Sequence, residues 1–95
     1  MQLYAIIRRG GWANPQELEE AAARSRQVGD EQMPDQIRWI RSYVTAEADG
    51  RVGTICIYQA ASPAAIHEHA RKARLPVDEV VPIAATVLVR DDTKP

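Results

Sequence analysis

The residues of this chain that could carry chemistry are two histidines and one cysteine. Both histidines lie in the stretch AIHEHA, as His67 and His69, and the cysteine is Cys56. Imidazole and thiolate groups bind divalent transition metals, and an imidazole can also transfer protons near neutral pH. These residue types therefore indicate two candidate functions, metal binding and acid-base catalysis.

A regular helix does not allow the two histidines to chelate one metal ion. Successive helical residues turn by about 100°, so His67 and His69 point about 200° apart. His69 lies on the apolar stripe defined by Ile66 and Ala73, whereas His67 lies at the edge of that stripe. His69 is therefore the candidate site residue. The alternative is a buried histidine that bonds to the backbone or to a strand side chain.

The first part of the chain predicts a strand followed by a helix. LYAIIRR, residues 3 to 9, is rich in residues that favour strands and ends at a glycine pair. Asn14-Pro15-Gln16-Glu17 then combines an N-cap, a proline at the first helical position and a capping glutamate. Apolar and small residues recur at helical spacing as far as Val28, so the helix should end near Gly29 to Pro34.

The strongest local pattern is a β-hairpin centred on Asp49-Gly50. Residues 36 to 48 and 51 to 60 are rich in β-branched and aromatic residues in alternation. Asp-Gly between two such runs favours a two-residue turn in which both central residues take positive φ. A turn of this length makes Tyr43 the direct cross-strand neighbour of Cys56.

A second helix and a last strand complete the predicted elements. Ser62-Pro63 repeats the combination of cap and proline, and Leu75-Pro76 ends the helix. The apolar, β-branched stretch from Asp78 to Arg90 predicts a strand. We interpret residues 1–90 as one domain and residues 91–95 as a disordered C-terminal tail.

The element order strand, helix, strand, strand, helix, strand predicts an α+β fold, the ferredoxin-like βαββαβ sandwich. In that fold two helices cover one face of a four-stranded antiparallel sheet, and the other face stays open. The alternation assigns an aliphatic, helix-covered face to Ile40, Ser42, Val44, Ile55, Ile57 and Gln59. It assigns the open face to Trp39, Arg41, Tyr43, Thr54, Cys56 and Tyr58.

Aromatic residues on an open sheet face indicate a partner or a ligand. We expect a homodimer, arranged as a dimeric α/β barrel, that buries on the order of 1,000 Å² or more. Trp39, Arg41, Tyr43 and Tyr58 are then residues of a pocket or of the dimer face, and both readings remain open. Cys56 lies among them as a pocket-wall thiol or as a small core residue.

Composition excludes several classes of partner. The formal net charge of -1 and the pI near 6.1 provide no basic surface for nucleic acid or for an anionic membrane. The apolar start, Met1 to Ile7, is too short for a signal peptide or a membrane span. A single cysteine cannot form an internal disulfide. We therefore expect a cytoplasmic protein with a reduced thiol.

Three motifs resemble a small bacterial family of nickel-binding, ferredoxin-like proteins that form dimers. They are WIRSYVT at 39–45, CIYQA at 56–60 and EHARKARLP at 68–76. The resemblance implies that nickel is the cofactor and that Cys56 and His69 are metal ligands. The family pattern has a further histidine where this chain has Arg41, and a protonated guanidinium cannot coordinate a metal.

Three functions stay open at this stage. The first is a small dimeric binding protein that responds to nickel. The second is an enzyme of the dimeric α/β-barrel type, similar to monooxygenases or isomerases that need little cofactor. In it Arg41 would hold a small anionic substrate, while Tyr58 or His69 would move protons. The third is a structural dimer without a site.

Overall fold

The computed structural model describes residues 1–91, which form four strands and two α-helices. The strands are β1 (Gln2–Trp12), β2 (Ile37–Ala46), β3 (Val52–Ala60) and β4 (Glu79–Pro82), and the helices are α1 (Pro15–Gln27) and α2 (Pro63–Ala73). A π-helical turn, Val28–Gln32, continues α1. The predicted tail at 91–95 lies, apart from Asp91, outside the described residues. No helix in this range is long and apolar enough to cross a membrane.

The four strands form one antiparallel sheet in the order β2-β3-β1-β4. Both helices lie on the same face of this sheet. Tyr58 of β3 contacts Ser25 of α1 through its hydroxyl and His69 of α2 through its ring. Element order and strand order are those of a ferredoxin-like sandwich. The predicted α+β fold, with two helices on one face of an antiparallel sheet, is confirmed.

Both helices begin at the caps that the sequence predicts. The side chain of Asn14 accepts a hydrogen bond from the backbone N–H of Glu17 at 2.9 Å, and Pro15 is the first residue of α1. Ser62 caps α2 in the same way, accepting from the N–H of Ala65 at 3.1 Å. These side chains satisfy N–H groups that have no partner within the helix. The helix starts therefore follow from local sequence alone.

The hairpin between β2 and β3 has a three-residue loop, not the predicted two-residue turn. Glu47 donates its backbone N–H to the carbonyl of Arg51 at 2.9 Å. Gly50 donates to the carbonyl of Glu47 at 3.1 Å, so the loop consists of residues 48–50. Gly50 takes a positive φ of 87°, while Asp49 does not. The two-residue turn would force Asp49 to positive φ as well, which is unfavourable for a residue with a Cβ.

The longer loop moves the hairpin register by one residue. Ser42 lies opposite Cys56, and Tyr43 lies opposite Ile55. The prediction that Tyr43 and Cys56 are direct neighbours is therefore wrong. Because side chains alternate along a strand, Cys56 is buried beneath the helices and Ile55 points to the open face.

A bulge in β2 at Ile40 also changes the face assignment. It separates the pair Trp39–Tyr58 from the pair Arg41–Ile57. The additional residue reverses the alternation, so Trp39 lies on the helix side and Arg41 on the open side. The two predicted faces are therefore corrected: Trp39, Ser42, Val44, Thr54, Cys56 and Tyr58 lie on the helix side, and Arg41, Tyr43, Ile55, Ile57 and Gln59 on the open side.

The core lies between the sheet and the helices. Ile6 of β1, Tyr58 of β3 and Ile66 of α2 are almost completely inaccessible to solvent. The apolar stripes predicted for the two helices are confirmed, since Ala21 and Ala73 are buried as well. The remaining members of the core cluster are Tyr4, Val28, Met33, Ile37, Cys56, Ala60 and Ala65.

The last strand is much shorter than predicted. β4 spans Glu79–Pro82 and pairs with β1, where Pro82 lies opposite Tyr4. The following residue, Ile83, still donates to the carbonyl of Leu3. Beyond Ile83 the chain runs past the N-terminal end of β1. Among the described residues, no strand lies there for it to pair with. Residues 87–89 are consequently exposed, at 88%, 67% and 74% of their surfaces.

Candidate functional site

The structure divides the predicted site residues between the two faces of the sheet. Cys56, Tyr58 and His69 lie on the helix-covered side and are buried. Arg41 and Tyr43 lie on the open side and are exposed. The predicted enzyme required Arg41 to hold a substrate beside Tyr58 or His69, and the sheet separates these groups. The arrangement therefore does not assemble that set of roles.

His69 projects from α2 into the core. Only 1% of its surface is exposed, whereas His67 is exposed, as the apolar stripe predicted. Its Nε2 donates to the carbonyl oxygen of Ser25 at 2.9 Å, and its Nδ1 has no hydrogen-bond partner. Burial lowers the pKa of His69, because desolvation disfavours the charged imidazolium. His69 is thus a neutral imidazole that joins the two helices.

Tyr58 is the centre of a polar and aromatic cluster beneath the helices. Its hydroxyl shares a hydrogen bond of 2.8 Å with Ser25, and its ring meets His69 edge-on at 5.5 Å. The indole of Trp39 stacks on the Tyr58 ring, with ring centroids 6.1 Å apart. Desolvation raises the pKa of Tyr58 to about 12. The phenol therefore stays protonated and acts as a hydrogen-bonding group at neutral pH.

Cys56 lies next to this cluster on β3. Its thiol is buried and donates a hydrogen bond to Thr54 at 3.3 Å. The neighbouring strands place Ile6 and Ser42 directly opposite it. The free thiol therefore faces the helix side, the same side as His69. The predicted face assignment had placed Cys56 and His69 on opposite sides of the sheet, whereas the structure places both on the helix side.

Arg8 is the residue of this region that the sequence analysis missed. It lies on β1 opposite Thr54, and 1% of its surface is exposed. All three nitrogens of its guanidinium are buried without a hydrogen-bond partner. The signal was present in the alternation of β1, because Tyr4, Ile6 and Arg8 are spaced by two residues and share the inner face.

A cavity of about 100 Å³ lies between α1 and the sheet. Arg8, Thr54, Cys56 and Tyr58 form its floor, and Leu18 and Ala22 of α1 cover it. It opens at the edge formed by β2, where Trp39 and Val44 line it and remain partly exposed. Arg8, Cys56 and Tyr58 therefore all line one cavity, whose walls are almost entirely apolar.

Comparison with known proteins identifies the family. A family model described as "Nickel responsive protein SCO4226-like" matches residues 4–83. This chain belongs to that family. The match runs from within β1 to the residue after β4, so it includes both helices and all three motifs that carried the resemblance. Neither a curated protein nor a solved structure matches the chain significantly.

Membership of the nickel-responsive family raises the question of a nickel site in one subunit. Cys56 and His69 lie on the same side of the sheet, but Nε2 of His69 is already bonded to Ser25. Within residues 1–91, no group of three or more histidine, cysteine, aspartate or glutamate side chains could hold a metal. The unpaired charge of Arg8 in the cavity beside Cys56 opposes a divalent cation there. One subunit therefore offers an incomplete donor set.

Proposed function

We propose that this protein is a small homodimeric, cytoplasmic binding protein of the nickel-responsive family. The observation that carries the proposal is the open face of the sheet, which no element of the described chain covers. Two such faces packed against each other form a dimeric α/β barrel. The family supports the nickel part of the proposal, and the sheet supports the dimer.

The open face is apolar and continuous across all four strands. Its apolar members are Leu3, Ala5, Ile7, Tyr43, Ile55, Ile57 and Val81. Tyr43 exposes 43% and Ile55 37% of their surfaces to solvent. Monomeric proteins seldom expose apolar patches of this extent. Arg41 and Gln59 at one side of the face provide the polar rim that subunit interfaces commonly have.

The occupant that fits this face is a second copy of the chain. A ferredoxin-like sandwich presents a flat four-stranded sheet, and an identical sheet matches its size and its apolar character. The apolar residues 87–89 extend beyond β1 and belong to no strand among the described residues.

The test of the dimer is sedimentation of the wild-type protein and of two lysine variants. We expect a dimer at micromolar concentration for the wild type, and a monomer for Ile55→Lys, because the variant places a charge at the centre of the interface. Ala23→Lys is the matched control, since Ala23 is exposed on α1. It should remain a dimer. A monomeric wild-type protein under these conditions contradicts the proposal.

The nickel part of the proposal is supported by the family and not by a complete donor set in one subunit, and Cys56 and His69 are the two residues with which it is tested. Calorimetric titration with nickel should give heat with the wild type and with His67→Ala. The heat should be lost in Cys56→Ala and in His69→Ala. If both variants bind nickel like the wild type, these two residues are not the ligands. That result leaves the dimer unaffected, because neither residue lies on the open face.

A further inference from the structure

The chain beyond β4 has the character of a strand without a neighbour. Residues 84–89, AATVLV, contain no charge and no proline, and their side chains are exposed. From Ile83 to Leu88 the backbone forms no helix, turn or bend. Within the described chain, the last backbone hydrogen bond at this end runs from Ile83 to Leu3. An exposed apolar segment of this kind is a template for pairing with another strand.

The free edge of β2 has the complementary property. β2 is an edge strand, and over residues 1–91 it pairs only with β3. Edge strands are usually protected from pairing by charges, prolines or bulges. The bulge at Ile40 protects the first part of β2, but residues 42–46, SYVTA, contain neither a charge nor a proline. This part of the edge is open to an added strand.

The mouth of the apolar cavity lies at the same edge. Trp39 and Val44 line it and expose 37% and 61% of their surfaces. A strand added along β2 places alternate side chains over this mouth and the others beside the open face of the sheet. Because Val87 and Val89 alternate with Leu88, the segment is apolar on both sides. Strands that are buried on both faces have this composition.

The segment cannot reach β2 of its own subunit. β4 and β2 are the opposite edges of the sheet, and the chain leaves β4 past the end of β1 without reversing before Leu88. In a dimer whose open faces meet, a twofold axis along the strands places the β2 edge of one subunit beside the β4 edge of the other. The continuation of β4 then runs antiparallel to the β2 strand of the second copy.

We infer that residues 84–90 of each subunit add as a strand to the free β2 edge of the partner and cover the mouth of its cavity. This exchange rests on the proposed dimer and goes beyond it, because face-to-face packing alone leaves both edges open. With the added strands, the two sheets are joined by backbone hydrogen bonds at both edges. The barrel then has no exposed strand edge at β2.

The first experiment links two chains through introduced cysteines. Val44→Cys is co-expressed with Val87→Cys or with Leu88→Cys, so a link between the two variants must join different chains. The native Cys56 is buried. A disulfide requires Cα atoms roughly 4.4 to 6.8 Å apart. We expect mild oxidation to link Val44→Cys to at least one of the segment variants, as identified by mass spectrometry of the joined peptides. Ala23→Cys, on the exposed side of α1, is the matched control and should not link.

Sedimentation of the same samples separates the exchange from the dimer. A dimer in which Val44→Cys links to neither segment variant overturns the inference and leaves the proposed dimer intact. Equal linking of Val44→Cys to Ala23→Cys also overturns the inference, because it shows random collision. A monomer overturns the proposed dimer, and the inference with it.

The second experiment uses the shielding of Trp39. The chain has two tryptophans, and Trp12 is buried, so quenching of the fluorescence by acrylamide reports mainly on Trp39. Successive N–H groups of a strand point to opposite edges, so proline at one of two adjacent positions removes a bond to β2. We expect stronger quenching in Val87→Pro or in Leu88→Pro than in the wild-type dimer. Quenching unchanged in both variants overturns the inference.

Discussion

The imidazole of His69 uses one of its two nitrogens and leaves the other unpaired. Because a carbonyl oxygen can only accept, the bond to Ser25 fixes the proton on Nε2. Nδ1 is then an acceptor without a donor. A second proton on Nδ1 would create a buried positive charge in the field of Arg8, which also lowers the pKa of His69. The stretch AIHEHA thus contains one buried and one surface histidine.

The first prediction compares the two histidines by substitution. His69→Ala should lower the free energy of unfolding by about 1 to 3 kcal/mol, because it removes packing and leaves the carbonyl of Ser25 unpaired. His67→Ala should change it by less than about 0.5 kcal/mol, because that side chain is exposed. Urea unfolding of both variants measures the difference. Equal effects would show that burial of His69 contributes little.

The second prediction concerns pH. The pKa of His69 is lower in the folded state than the ordinary value of 6.5, so below that pH the unfolded state binds more protons. The contribution of His69 to stability is therefore complete above about pH 6.5 and decreases as the pH falls below it. Urea unfolding between about pH 7.5 and 5 should show this slope. His69→Gln should reduce the slope and His67→Ala should retain most of it. An unchanged slope in His69→Gln contradicts the assignment.

Sequence patterns predicted the burial of His69 but not the role of Arg8. The helical stripe of α2 involves only neighbours on the same helix, and these are visible in the sequence. Arg8 was taken as the polar end of an apolar run, although alternation places it on the inner face. A buried, unpaired arginine contradicts the ordinary distribution of charged residues. The pairing of β1 with β3 adds that Arg8 lies opposite Thr54.

Among the secondary-structure elements, strand β3 approaches β1 closely at Gly53, a residue without a side chain. Gly53 lies opposite Thr45 on β2 and next to β1. A Cβ at Gly53 would lie 2.3 Å from the carbonyl oxygen of Arg8 and 2.9 Å from the backbone nitrogen of Gly10. These are backbone atoms, and they cannot move aside without disturbing the sheet. The close approach of β1 and β3 at this point requires glycine.

The third prediction follows from this contact. Gly53→Ala should lower the free energy of unfolding by about 1 to 3 kcal/mol, because the added methyl group overpacks the sheet. Gly29→Ala is the control, since its Cβ would meet the nearest atoms at an ordinary 3.7 Å. It should be neutral or slightly stabilising, because alanine favours helical backbone. Chemical denaturation of both proteins gives the comparison. A neutral Gly53→Ala would mean that the strands separate easily there.

The elements differ in how well the sequence predicted them. The two helix starts depend on a cap and a proline that are adjacent in sequence, and both were correct. The hairpin loop depended on Asp49-Gly50, whose preference is shared by two-residue and three-residue loops. The side chain of Asp49 accepts from the N–H of Arg51, which stabilises the longer loop. The bulge at Ile40 had no recognised sequence signal.

At the scale of the whole molecule, the topology was predictable because the element order restricts the arrangements that a short chain can adopt. Four strands and two helices in this order have one common compact solution. The existence of an open face followed from the same order. The identity of the residues on that face did not, because the aliphatic face of β3 was taken as the covered one. The hairpin register and the bulge also change which residues of β2 share a face with those of β3. The open face in the structure is apolar, as predicted, but it is formed by Ile55, Ile57 and residues of β1.

The fourth prediction links folding to assembly. If two sheets bury each other, dissociation accompanies unfolding, and the melting temperature should rise with protein concentration. We expect this rise for the wild type and for Ala23→Lys, measured by calorimetry over a hundredfold range of concentration. Ile55→Lys should melt at a lower temperature that does not depend on concentration. A wild-type melting temperature independent of concentration would indicate that the subunits fold separately.

The three-residue loop between β2 and β3 has a consequence for how the gene that encodes this chain can change. Ala48 is exposed, so codon substitutions there leave the pairing of the strands intact, whereas the side chain of Asp49 accepts from the N–H of Arg51. Deletion of a single codon in the loop shifts β3 by one position against β2. The residues of the edge strand β2 would then exchange sides relative to β3. Descendants of this sequence are therefore free to vary Ala48, but not the length of the loop or the glycine that takes a positive φ.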